Sequence, residues 1–99
     1  MTAAQGFDVE GAAEDLALYT GAGQYSGLEN HPELDKIATF YMKLDETAFM
    51  QGLQRGALIM KGLQTQKKED VCNAAKASRP KIETHMTEQA RFLAKRGVP

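Results

Sequence analysis

The chain has 99 residues, of which 42% are hydrophobic and 25% charged, with a formal net charge of −1. That size suits one domain, and that balance argues against a disordered chain or a low-complexity fibre. No apolar run approaches the roughly 18–20 residues needed to cross a bilayer, so a membrane span is not expected.

Without Trp, and with three Tyr and four Phe, the core must rely on Leu, Ile, Ala and five Met. Cys72 is the single cysteine, so no intrachain disulfide and no cysteine-rich zinc site can form. A single thiol favours a reducing cytoplasm slightly, while removal of a signal peptide would place the chain in a periplasm or outside the cell; the compartment stays open. The near-zero charge hides an asymmetry. Residues 1–50 carry nine carboxylates against two lysines (−7), and residues 51–99 carry ten bases against four carboxylates (+6). Such a split points to packing between the halves, to a charged partner or to head-to-tail association.

Along the chain, residues 1–7 show no pattern and are expected to be disordered, leaving 8–99 as a single helical domain. Asp8 suits the N-cap of a helix with Val9, Ala12, Ala13, Leu16 and Tyr19 on one face, ended by Gly21 and Gly23. The stretch Gly21–Asn30 then reads as a loop. Pro32 falls in the first turn of a second helix with an inward stripe of Leu34, Ile37, Ala38, Tyr41 and Met42. Continued without interruption, that helix would thrust Asp45 into its apolar stripe. A break near Lys43–Asp45 is therefore expected, Asp45 capping the next helix, with one long helix over 32–63 as the alternative.

From Glu46 to about Leu63, Phe49, Gly52, Leu53, Gly56, Ile59, Met60 and Leu63 share a broad face. A polar helix over Lys67–Ala77 follows, carrying Val71, Cys72, Ala74 and Ala75. Pro80 should end it, because proline disfavours helical geometry at Arg79. A last helix from Ser78 or Arg79 would bury Ile82, Met86, Ala90 and Leu93, with Lys95 and Arg96 in its final turn and Gly97 closing it. No segment alternates at period two. The expected fold is all-α: a compact bundle of four to five short antiparallel helices with no sheet.

Few residue patterns point to chemistry. Glycines at 52 and 56 clear a strip along one helix and let another backbone approach closely. The strip could be filled inside the monomer, at a homodimer seam or by a partner; in the last case Phe49, Gly52, Leu53, Arg55, Gly56 and Met60 form the partner-binding surface. Gly21, Gly23 and Gly27 lack the preceding strand that a phosphate loop requires and read as a turn. His31 with Asp35, and His85 with Glu88, are too few for a stable metal site, and no cofactor is expected. Lys68 and Lys76 flank Cys72 and could lower its thiol pKa, although a small buried hydrophobe is the simpler role. An enzyme is not expected. In a rival reading, Lys76, Arg79, Lys81, Arg91, Lys95 and Arg96 form a nucleic-acid-binding face.

The segment FMQGLQRGALIM followed by a cysteine-containing helix resembles small periplasmic helical proteins of the inhibitor and immunity type. Those usually carry paired cysteines where this chain has one, and no functional residue is transferred from them. The resemblance implies inhibitor or immunity function as a further alternative. The reading favoured by the residues is a non-catalytic protein-interaction or assembly module that binds a protein partner or itself.

Overall fold

The computed structural model describes residues 8–95, so the expectations placed on 1–7, Arg96 and Gly97 lie outside it. Four helices follow in order: α1 (Val9–Ser26), α2 (Leu34–Leu44), α3 (Glu46–Leu63) and α4 (Lys68–Lys95). No strand occurs among the described residues, and none of their helices is long and apolar enough to cross a membrane. The fold is all-α, as its periodicities indicated.

Asp8 caps α1 by accepting the Gly11 N–H at 2.9 Å. The helix does not stop at Gly21 or Gly23 but runs on to Ser26, which corrects the expected loop over 21–30. Both glycines are held by packing. A Cβ on Gly21 would lie 2.7 Å from the Met60 side chain, and one on Gly23 would lie 2.7 Å from the Arg79 guanidinium. The terminator is Gly27, whose φ of 68° is left-handed and therefore suits glycine. Pro32 lies in the turn just before α2 rather than in its first helical turn.

At Asp45 the chain turns to extended geometry (φ −161°, ψ 93°), and its carboxylate accepts the Ala48 N–H at 3.1 Å. The break between α2 and α3 is thus where the polar residue demanded it, and a single helix over 32–63 is ruled out. Pro80 behaves otherwise: α4 is one helix of 28 residues with the proline inside it. The reason lies in its buried face. Val71, Ala75, Arg79, Met86, Ala90 and Leu93 form one continuous stripe, and a break at 78–80 would dislocate its halves. Pro80 itself is exposed, so the cost of its missing N–H is met by packing on the other side.

The core gathers Ala13, Leu16, Tyr19, Ile37, Tyr41, Phe49 and Met86 from all four helices. Its closest seam joins α1 to α3. Gly52 lies against Glu10 and Ala13, Gly56 against Glu14 and Ala17, and Met60 against Gly21. Both sequences of contacts rise together, so α1 and α3 run parallel, a correction to the all-antiparallel expectation that α2 makes possible by returning the chain. Arg55 closes the edge of this seam, its Nη1 3.2 Å from Glu10 and its Nε 4.0 Å from Glu14.

The fourth helix runs antiparallel to α1, pairing Cys72 with Ser26 and Glu83 with Tyr19. It packs mainly on α1 and α2 and touches α3 only slightly.

Candidate functional site

The sparse contact between α3 and α4 determines the site. One face of α1 is left uncovered, and a groove of about 1050 Å³ runs along it. Gly11, Asp15, Leu18 and Ala22 make one wall, at spacings that return to the same helical face every turn. The opposite wall belongs to α4, with Ala74, Ser78, Ile82 and His85. The end of α3 closes one side through Ile59 and Leu63. Leu16, Met60, Val71 and Met86 are buried and form the floor. Measured from Asp8 to Ala22, at the helical rise of 1.5 Å per residue, the groove spans about 21 Å, or nearly four turns.

The lining is mainly apolar, and Ile59 and Ile82 remain 41% and 37% exposed at its rims. Ile82 was expected to point inward and instead stands on the rim. Its charges are unevenly distributed. Asp8 and Asp15 lie toward the start of α1, and Asp70 lies at the other end, in the first turn of α4. Lys81 and His85 sit on the α4 wall between them.

Beneath the groove, Arg79 fastens α4 to α1. Only 7% exposed, it donates from Nη1 to the Tyr19 carbonyl at 3.1 Å and from Nη2 to the Glu29 carbonyl at 2.5 Å. Its guanidinium lies 4.0 Å from the Tyr19 ring centroid and 3.9 Å from Glu83. The Tyr19 hydroxyl donates to Glu83 and accepts the His31 N–H. Burial, reinforced by the bond to Glu83, raises the Tyr19 pKa above its ordinary value. Burial also raises that of Tyr41, whose hydroxyl donates to Gln89 at 2.6 Å. No buried side-chain nitrogen or oxygen among the described residues lacks a partner, so this network is structurally complete.

The expected partner surface is largely consumed by the fold. Gly52, Gly56, Phe49 and Met60 are buried. The glycine strip is filled by α1 within the monomer, so it offers no free surface to another molecule. Leu53 packs against the core and Arg55 is exposed but engaged by Glu10 and Glu14. Of the six residues, Met60 alone reaches the groove. The expected nucleic-acid face is also interrupted: Lys76, Lys81, Arg91 and Lys95 are exposed, whereas Arg79 is buried with its donors on backbone carbonyls.

The other candidates have local roles. His31 accepts the Glu33 N–H at Nδ1 and bonds Thr87 through Nε2, stapling the α1–α2 connection to α4. Ser26 donates to the Cys72 sulfur, and Lys68 lies over the Tyr25 ring at 5.1 Å. Among the described residues, no three His, Cys, Asp or Glu side chains converge as metal ligands.

Sequence reasoning missed the groove residues Asp15, Leu18, Ala22 and Ser78. The available signal was Leu18 and Ala22, apolar residues one turn apart outside the inward stripe of α1. No protein family, curated protein or solved structure matches the chain.

Proposed function

We propose that this protein is a non-catalytic interaction module whose groove between α1 and α4 receives one helix of a protein partner. The observation that carries this reading is the length and shape of the apolar groove. It is an open trough of about 1050 Å³, and nearly four turns of lining residues recur at helical spacing on both walls. An amphipathic helix laid in such a groove engages it with side chains at i, i+4 and i+7. The small residues Gly11, Ala22, Ala74 and Ser78 leave room for those anchors.

The test is titration of isotopically labelled protein with a neutral amphipathic helical peptide of about four turns. Amide shifts should concentrate at Leu18, Ala22, Ile82 and His85. They should vanish in Ala74→Trp, which places an indole on an exposed wall position without entering the core. Shifts that ignore this substitution, or no shifts at all, would refute the reading.

A further inference from the structure

Resting on the groove reading, we infer that the partner helix is apolar along its middle and basic at both ends. The groove has carboxylates at both extremities: Asp8 and Asp15 near the start of α1, and Asp70 near the start of α4. Asp8 also caps α1, but Asp15 and Asp70 are exposed on the lining and form no ion pair among the described residues. The bases of the lining lie between them. Arg79 is buried and already faces Glu83, which leaves Lys81 and His85 on the α4 wall. An occupant with Lys or Arg near both ends meets opposite charge at each extremity, and one with Glu or Asp there meets like charge; such patterning sets specificity and association rate.

The outer faces of α3 and α4 in a second copy of this chain do not supply that helix. The outer face of α3 exposes Met50 and Leu58 and has Lys61 at one end, but Glu46 at the other. The outer face of α4 carries Lys76, Arg91 and Lys95 around Ala77 and Pro80, with Phe92 exposed among them but no run of large apolar side chains to enter a groove. Neither face carries the inferred pattern, and the inferred occupant is a helix of a different protein.

The experiment compares three peptides with the same apolar face, ending in Lys, Gln or Glu at both extremities, by calorimetric titration against the whole protein. At an ionic strength of about 0.01 M, where charges act over about 30 Å, the Lys-ended peptide should bind at least about tenfold more tightly than the Glu-ended one. At about 1 M, where that range falls to about 3 Å, the three affinities should converge. Asp15→Lys combined with Asp70→Asn should erase or invert the order of the three peptides. Circular dichroism checks that this variant folds, and the comparison on the unaltered protein stands without it. Equal affinities at low salt, or a preference for the Glu-ended peptide, would overturn the charge inference and leave the groove reading intact. Failure of all three to bind would overturn both.

Discussion

Adding a single methyl group to Gly52 should separate the two most closely packed helices of the protein. An alanine Cβ there would meet the Glu10 carbonyl oxygen and lie 2.6 Å from the Ala13 Cβ. Ordinary van der Waals contact begins near 3.4 Å, so the backbones of α1 and α3 must part by roughly 1 Å, and no side-chain rotation can relieve a clash with a carbonyl. Overpacking of this kind costs about 1–3 kcal/mol, with a rigid obstacle at the upper end. Alanine returns about 1 kcal/mol through its better helix propensity. The net expectation is a loss of about 2 kcal/mol and a fall in Tm on the order of 10 °C. Gly62→Ala is the internal control: nothing lies within 4 Å of its added Cβ, so the propensity gain should stand alone and raise stability by about 1 kcal/mol. Gly21→Ala, which meets only the flexible Met60 side chain, should fall between them. Urea denaturation of the three variants reads the order directly. A Gly52→Ala protein as stable as Gly62→Ala would refute the close-contact account of the seam.

Arg79→Met should cost about 3 kcal/mol, because the Tyr19 and Glu29 carbonyls lose a buried cationic donor and Glu83 loses a neighbouring positive charge; urea midpoints would reveal it, and an unchanged midpoint would count against the network. Pro80→Ala should stabilise the protein by about 1–3 kcal/mol, by restoring a helical N–H at an exposed position, with Tm as the measure. Alkaline pH should weaken the fold. The folded-state pKa values of Tyr19 and Tyr41 are raised, so their contribution is full below the unfolded value of about 10 and is lost as pH rises through the folded values. Unfolding free energies measured across this range should fall with pH in the parent, and fall less steeply in a Tyr19→Phe, Tyr41→Phe variant.

The features legible in the sequence were those a single helix decides for itself. Asp8 and Asp45 announced their caps, and the conflict between Asp45 and the apolar stripe located the break between α2 and α3. Features that depend on a neighbour were misread. Gly21 and Gly23 look like terminators until Met60 and Arg79 occupy the space they clear. Pro80 looks like a stop until the buried stripe from Val71 to Leu93 is seen as one surface. Even Gly52 and Gly56, correctly read as close-contact positions, carried no indication that α1 is what approaches them, or in which direction it runs. The groove is harder still to foresee, since it is defined by how little α3 and α4 touch. Asp15 and Leu18 gain significance only through that gap.

The parallel pairing of α1 with α3 also has a consequence for biosynthesis. Ala13 reaches the ribosomal exit about 40 residues ahead of Gly52, which at 5–20 residues per second is a wait of about 2–8 s. During that interval the nascent α1 must survive without its main neighbour. The face it reserves for α3 is made of Ala13, Ala17 and Gly21 bordered by Glu10 and Glu14, a surface with little to offer a passing chaperone or another unfinished chain. Small side chains there serve the finished seam and also keep its first half inconspicuous until the second half arrives.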